Sequence, residues 1–219
     1  MKESTPLAVL IFPISKIECT FAAYLVNMKE QIKAFIAESV DVKQQLLENE
    51  GLIERLQEVS QLFIDCFNAD GKVLFCGNGG SAADAQHLSA ELSGRYKIDR
   101  RPLFSEALHV NTSYMTAVAN DYSYDEVYAR MVEAAGRKGD ILVAISTSGN
   151  SGNVIKAVEK AKAVGMTVVG MTGESGGKMK TLCDALLNAP SSNTPRIQEC
   201  HILMGHIICE LCEKGLFDA

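Results

Sequence analysis

The first part of the chain carries apolar residues at the spacing of amphipathic helices. From Met28 to Glu48, apolar side chains recur at steps of three to four residues, and a second set with the same spacing runs from Leu52 to Phe67. This spacing puts them on one face of an α-helix. The polar segment from Asn68 to Gly71 is typical of a helix end. The pattern therefore predicts two N-terminal helices.

After Gly71 the pattern changes to short apolar runs, each followed by a turn and another helical segment. Such runs are typical of buried strands. Strands that alternate with helices indicate a parallel sheet covered on both faces. We therefore predict an α/β fold with a five-stranded parallel sheet flanked by helices. The predicted elements are strands at 72–76, 107–110, 140–145, 167–171 and 185–189, and a last helix from Thr194 to Glu213.

The first 27 residues differ from the rest. Pro13 interrupts the apolar run 6–14, and no clear cleavage site follows it. A secretory signal is therefore not predicted. We expect residues 1–27 to be an extension outside the core and residues 28–219 to form a single domain with N-terminal helices. We also hypothesise that Met28 is the natural start, which N-terminal sequencing of the native protein would test.

Composition narrows the class of partner. The chain has 21 basic and 27 acidic residues, a net charge of −6, whereas nucleic-acid backbones need clustered cations. No run of 18 apolar residues predicts a transmembrane helix. The cysteines are scattered and odd in number, which is typical of a reducing compartment. We expect a cytoplasmic protein that binds small molecules and copies of itself, and neither nucleic acid nor membrane.

A segment rich in hydroxyl groups follows the third predicted strand. It reads STSGNS over 146–151, and the next helix is predicted to begin near Asn153. A helix N-terminus offers free N–H groups and partial positive charge, which suits an anion. No lysine ends the segment, so a phosphate monoester fits better than a triphosphate. The alternative is a simple helix cap. The candidate phosphate-binding residues are Ser146, Thr147, Ser148 and Ser151.

A glycine-rich segment, 77–81, follows the first predicted strand. Ligands of parallel sheets bind at the carboxyl ends of the strands, so this segment and 146–151 are expected to face one ligand. Asn78 and Ser81 would then bind sugar hydroxyls or phosphate oxygens. The alternative is a tight turn between strand and helix.

Two predicted helices carry titratable side chains. His87 and Glu91 are four residues apart and share a helix face. Such a pair suits metal binding or acid–base chemistry, although a solvated pair is the alternative. The last predicted helix adds Gln198, His201 and His206 as further candidates for such a site. His206 lies within an apolar run, and a histidine in such a run is usually a core residue.

Taken together, these motifs resemble the SIS (sugar isomerase) domain family and, within it, the bacterial phosphoheptose isomerases. The resemblance runs from about Met28 to Phe217. It rests on segments 76–87 (CGNGGSAADAQH), 90–96 (AELSGRY), 117–127 (AVANDYSYDEV), 139–157 (GDILVAISTSGNSGNVIKA) and 196–206 (RIQECHILMGH).

The resemblance implies a flavodoxin-like SIS domain that isomerises sedoheptulose 7-phosphate to D-glycero-D-manno-heptose 7-phosphate. This is the first step toward the heptose of bacterial lipopolysaccharide or capsule. It also implies one Zn²⁺ per subunit and a homotetramer with sites between subunits. By resemblance, Glu91 and His206 are the catalytic acid–base pair, and the zinc ligands are His87, Glu91, Gln198 and His206. The candidate substrate-binding residues are Asn78, Gly79, Gly80, Ser81, Glu91, Asn120, Asp121, Ser146, Thr147, Ser148, Ser151 and Gln198.

Helix geometry restricts the implied zinc site. Gln198 and His206 are eight residues apart, about 12 Å along a helix and roughly 80° around it. A regular helix hardly brings both side chains to one ion. We therefore hypothesise that at least one ligand comes from a neighbouring subunit.

Three alternatives stay open. A non-catalytic SIS protein that binds the bacterial replication initiator would share the fold and segment 146–151 but lack the pair Glu91 and His206. A sugar-phosphate-sensing regulator would carry an added DNA-binding domain, which the sequence does not display. An isomerase of another sugar phosphate is the third. Segment 81–85 (SAADA) and Asn111-Thr112 depart from some heptose isomerases, which leaves the fine substrate specificity open.

Overall fold

The computed structural model describes residues 14–217, with side chains from Asn27 onward. After two N-terminal helices, strands and helices follow one another largely as the sequence predicts, except that α4 and α5 are consecutive and no α-helix separates β4 from β5. They are α1 (Ile14–Leu47), α2 (Glu50–Asn68), β1 (Val73–Gly77), α3 (Gly80–Ser93), β2 (Ser105–Ala107), α4 (Thr112–Asp121), α5 (Val127–Ala135), β3 (Ile141–Ile145), α6 (Gly152–Ala163), β4 (Thr167–Thr172), β5 (Ala185–Asn188) and α7 (Thr194–Phe217).

The strands within the described residues form one parallel five-stranded sheet in the order β2-β1-β3-β4-β5. The prediction of an α/β fold with a flavodoxin-like sheet is therefore confirmed. In this order the chain winds outward in both directions from β1 and β3, and in such sheets ligands bind beside the loops that follow these two strands. Those loops begin at Asn78 and at Ser146.

Apolar side chains cover both faces of the sheet. Phe75 and Val143 belong to the core cluster that α2, α3 and α7 complete, while Leu74 and Leu142 belong to the cluster completed by α4, α5 and α6. Alternate residues of one strand point to opposite faces, and both faces are buried. This explains why β1 and β3 are continuous apolar runs rather than alternating ones.

Three predicted boundaries were wrong. Helix α7 ends at Phe217 rather than at Glu213. Helix α1 is described from Ile14 rather than from Met28, because residues 14–27 contain neither proline nor glycine to end it. Strand β2 is Ser105–Ala107 rather than 107–110, because an edge strand pairs on one side only and keeps an exposed residue, Glu106, within it. Residues 1–13 lie outside the described residues, so the limit predicted at residue 27 stays a prediction.

The chain divides into two units, with the boundary after Asp41. The described part of the first unit is the helical stretch of α1 from Ile14 onward. The second unit, from Val42, contains the sheet, its covering helices and every candidate site residue. Among the described helices, none has an apolar stretch long enough to span a bilayer.

Candidate active site

The hydroxyl loop, residues 146–151, connects β3 to α6 and brings the hydroxyl groups of its first and last residues together. Ser146 is buried, and its Oγ lies 2.9 Å from the Oγ of Ser151. Ser151 is the N-cap residue of α6, yet its side chain makes no capping hydrogen bond. A serine that served only as a helix cap would bond the N–H groups of the first turn. This arrangement favours ligand binding over the simple cap.

The hydroxyl loop is held from behind by a second glycine-containing segment. Gly149 has a φ of +65°, a left-handed backbone conformation that favours glycine. A Cβ at this position would also collide with the carbonyl of Gly176. The N–H of Met179 donates to Gly149 O over 3.2 Å, and the N–H of Lys178 donates to Asn150 Oδ1 over 3.0 Å. The loop conformation is therefore set before any ligand arrives.

The loop after β1 is joined to the first turn of α6, directly after the hydroxyl loop, by a pair of amides. Asn78 and Asn153 exchange two hydrogen bonds of 2.8 and 2.9 Å. The hydroxyl of Tyr124 donates to Asn78 Oδ1 over 3.1 Å. The two loops thus meet at one edge of the sheet, as the sequence predicts. Gly79 precedes α3, and Gly80 and Ser81 form its first turn.

The structure brings three of the four predicted zinc ligands together. His87 Nε2 lies 3.1 Å from Glu91 Oε1 and 3.3 Å from His206 Nε2. One ligand atom from each of the three residues lies within 4.8 Å of the others. We call these residues the His–Glu–His group. His87 is exposed, and the other two are half-buried, so the group is open to solvent on one side.

Close packing of α7 on α3 assembles the His–Glu–His group. Gly205 lies so near Leu88 that a Cβ at this position would collide with the leucine side chain. His206 follows Gly205 directly and His87 precedes Leu88 directly. The absence of a side chain at position 205 therefore lets the two imidazoles approach each other.

Gln198 lies apart from the His–Glu–His group in this chain. Its amide lies against Gly80, at the start of α3, where an added Cβ would collide with it. Gly80 and His87 are seven residues apart on α3, or about 10 Å along the helix axis. This placement agrees with the geometric argument that Gln198 and His206 hardly reach one ion from the same helix.

His201 is a core residue. It is fully buried, and its Nε2 donates to the carbonyl of Thr172 over 3.0 Å. Burial lowers the pKa of His201 to about 4, which the hydrogen bond to Thr172 opposes only in part. The imidazole is neutral at physiological pH and ties α7 to the carboxyl end of β4.

Asn120 and Asp121 are the last two residues of α4, and both are exposed. The amide of Asn120 donates to Asp121 Oδ1 over 2.9 Å. Three residues after Asp121, Tyr124 hydrogen-bonds Asn78 in the loop after β1.

Sequence reasoning missed three side chains around the site. Tyr96 stacks on His206 with ring centroids 5.8 Å apart and an angle of 24°, and Tyr124 and Asn153 hold Asn78. A signal existed for Asn153, which is 2% exposed and occupies an inward position of a helix where an apolar residue is usual. Tyr96 carries no such signal, because its partner lies 110 residues away.

Comparison with known proteins gives consistent matches. A family model described as SIS domain matches residues 34–173. The phosphoheptose isomerase of Sulfurimonas denitrificans is 51% identical over 190 residues, covering 87% of this chain and 97% of the relative. The phosphoheptose isomerase of Helicobacter pylori strain P12 is 53% identical over 182 residues, covering 83% of this chain and 93% of the relative.

A solved structure shows the same similarity. The phosphoheptose isomerase of Neisseria gonorrhoeae superposes with a TM-score of 0.81 at 45% identity, over 85% of this chain and 99% of that chain. The similarity therefore extends over most of the chain, beyond the residues that the family model matches.

Proposed function

The chain belongs to the phosphoheptose isomerases of the SIS domain family, and from this we propose that it converts sedoheptulose 7-phosphate to D-glycero-D-manno-heptose 7-phosphate. This reaction is the first step of heptose biosynthesis for bacterial lipopolysaccharide or capsule. The observation that carries the proposal is the His–Glu–His group. A non-catalytic relative with the same fold and hydroxyl loop has no need of this group.

The hydroxyl loop is the proposed site for the phosphate. Its hydroxyl groups and the N-terminus of α6 provide hydrogen-bond donors and positive potential for a dianion. Lys178 lies in the segment that backs the loop, and its backbone N–H donates to Asn150 Oδ1. Binding the phosphate supplies energy that positions the sugar carbons for reaction. Asn78, Ser81, Asn120 and Asp121 are proposed to hold the sugar hydroxyls.

Glu91 and His206 are the proposed acid–base pair. The isomerisation removes a proton from C1 of the ketose, forms an enediol and returns a proton to C2, while a proton moves between the oxygens on these carbons. In the proposed mechanism the Glu91 carboxylate takes the C1 proton, and the His206 imidazole serves the oxygens. His87 Nε2 lies 3.1 Å from Glu91 Oε1, and the ligand atoms of His87, Glu91 and His206 lie within 4.8 Å of one another, so both imidazoles are near this carboxylate.

The donor set fits a catalytic zinc ion, one per subunit. Two imidazoles and a carboxylate are typical zinc ligands, and ligands about 2.0–2.1 Å from a tetrahedral ion lie about 3.3–3.4 Å apart. The distances from His87 to Glu91 and to His206, 3.1 and 3.3 Å, are close to this spacing. Zinc bound here would polarise the sugar carbonyl. The fourth proposed ligand is Gln198.

A homotetramer with sites between subunits is the proposed assembly. Gln198 lies at Gly80 rather than at the His–Glu–His group, so we propose that the fourth ligand comes from Gln198 of the partner subunit. Ile32, Ile36 and Val40 lie along one face of α1 and are 50%, 59% and 61% exposed. Apolar side chains on one helix face favour burial against another copy. We also propose a cytoplasmic location, because the buried cysteines of the described chain are free thiols.

Direct turnover tests the proposal. Purified protein is incubated with sedoheptulose 7-phosphate, with and without a chelator, and the aldose product is measured. We expect turnover that the chelator abolishes and zinc restores. The Glu91→Gln variant should lose turnover, whereas Glu106→Gln, the same change at the exposed edge strand, should keep it. Absence of turnover by the wild type, or full turnover by Glu91→Gln, would sink the assignment.

A further inference from the structure

Arg100 and Glu213 form a buried ion pair outside the residues assigned above. Their side chains are 2% and 4% exposed, and Arg100 Nε donates to Glu213 Oε1 over 2.9 Å. The desolvation of two charges offsets most of their attraction, so a buried pair is weak evidence for stability. The informative feature is what each partner holds in place.

Glu213 holds the segment that carries Tyr96. Its carboxylate accepts hydrogen bonds from the backbone N–H groups of Tyr96, Lys97 and Ile98, over 3.3, 2.8 and 3.2 Å. Burial by itself would raise the pKa of Glu213, but the three N–H groups and Arg100 outweigh burial and lower it. The carboxylate is therefore an anion that fixes the backbone from which the Tyr96 ring extends.

The Tyr96 ring in turn confines His206. It stacks on the His206 imidazole, while His87 meets the same imidazole edge-on with centroids 5.0 Å apart. The His206 ring thus lies between two other rings. Its orientation depends on both.

Arg100 holds the end of the helix that carries Glu91. Its guanidinium donates to the carbonyl of Glu91 over 2.8 Å and to that of Leu92 over 2.9 Å. These carbonyls belong to the last turn of α3, where intrahelical partners are lacking and positive charge is favourable. One side chain therefore connects the C-terminal end of α3 to Glu213 on α7.

We propose that Arg100 and Glu213 act as a clamp that positions both reacting side chains: Arg100 holds the helix end at Glu91, and Glu213 holds Tyr96 against His206. Both are positioning residues, since neither belongs to the His–Glu–His group. The kinetic consequence rests on the proposed function. The consequence for metal binding does not need turnover.

The first test replaces the charge and keeps the shape. In Glu213→Gln we expect zinc affinity to fall about 10- to 100-fold, the usual effect of losing support behind a metal ligand. We expect kcat to fall with it, while KM stays near the wild-type value because the hydroxyl loop is untouched. The matched control is Glu210→Gln, the same change one turn earlier on α7, where Glu210 pairs with Lys97 and Lys214. It should bind zinc like the wild type.

A second pair of variants keeps the proposal falsifiable if Glu213→Gln does not fold. Tyr96→Leu retains the backbone N–H and the ion pair but removes the stacked ring, and Tyr96→Phe retains the ring. We expect Tyr96→Leu to lower zinc affinity about tenfold and to shift the His206 imidazole resonances of the metal-free protein. Tyr96→Phe should match the wild type in both.

The clamp is overturned if Tyr96→Leu keeps wild-type zinc affinity and imidazole resonances, or if Glu210→Gln loses as much affinity as Glu213→Gln. A wild type without isomerase activity would remove the proposed function alone. The zinc titration and the imidazole resonances would still decide the clamp in that case.

Discussion

The hydroxyl loop and the His–Glu–His group are built in opposite ways. The loop is six consecutive residues whose conformation depends on backbone hydrogen bonds and on glycine at position 149. The group joins side chains 119 residues apart, and its geometry depends on how closely α7 packs on α3 at Gly205. The first is a local structure with a rigid backbone. The second is a product of helix packing.

In the proposed function this difference separates binding from chemistry. Damage to the loop should weaken binding of the phosphate and leave the reacting groups in place. Damage to the group should slow the reaction and leave the phosphate bound. Kinetics of variants in the two regions therefore test whether the division is real, because KM and kcat report different losses.

The largest expected effect is the loss of kcat on substitution within the His–Glu–His group. We expect His206→Gln to lower kcat by about 10²- to 10⁴-fold, the usual contribution of a positioned acid–base group, with little change in KM. Steady-state kinetics with sedoheptulose 7-phosphate measures both. His109→Gln is the matched control, because this histidine follows β2 outside both regions. A wild-type kcat in His206→Gln would show that the His–Glu–His group does not carry the chemistry, and the proposed division of roles between the two regions would be wrong.

The next effect concerns His201, which ties α7 to the carboxyl end of β4. Its pKa is lowered from 6.5 to about 4 in the folded chain, so the unfolded chain binds the proton more readily between these values. The neutral His201 imidazole therefore contributes to the free energy of unfolding. This contribution is fully present above pH 6.5 and is lost as pH falls toward 4, in total about 3 kcal/mol.

Urea unfolding at several pH values, for the wild type and His201→Gln, measures this contribution. The glutamine can still donate to Thr172, but it does not titrate. The wild type should lose more stability than the variant between pH 6.5 and 4. Parallel pH profiles of the two proteins would show that His201 is not the group responsible.

A smaller effect is expected in the hydroxyl loop. Ser151→Ala removes one proposed donor to the phosphate and the hydroxyl contact with Ser146. A hydrogen bond to a charged group contributes about 1.5–3 kcal/mol, so KM should rise roughly 10- to 100-fold at an unchanged kcat. Thr116→Ala, which removes an exposed hydroxyl from α4, should leave both constants unchanged. A fall in kcat without a rise in KM would contradict the proposed role.

The smallest effect is expected at the amide pair. Asn153→Ala removes the hydrogen bonds that orient Asn78, and a neutral hydrogen bond contributes about 1 kcal/mol. We expect KM to rise several-fold, and Tyr124→Phe, which removes one bond to Asn78, to act in the same direction but less. The same kinetic assay measures both. An unchanged KM in Asn153→Ala would show that Asn78 needs no such support.

Prediction from sequence succeeded where the deciding interactions are local. Strands β1, β3, β4 and β5 were located within one residue at each end, because apolar runs and glycine turns are read from neighbouring positions. Strand β2 was misplaced because its edge position depends on the rest of the sheet. The spacing of His87 and Glu91 predicted a shared helix face, and these side chains do meet.

The sequence by itself determined the α/β class, the alternation of strands and helices and the hydroxyl loop, because each follows from the order of apolar, glycine and hydroxyl residues over short stretches. Only the tertiary structure decided that His206 reaches His87, that Gln198 lies at Gly80 instead, and that Arg100 pairs with Glu213. Contacts between residues more than a hundred positions apart depend on how closely two helices pack. That distance depends on the side chains of both helices at once, so it cannot be read from either segment alone.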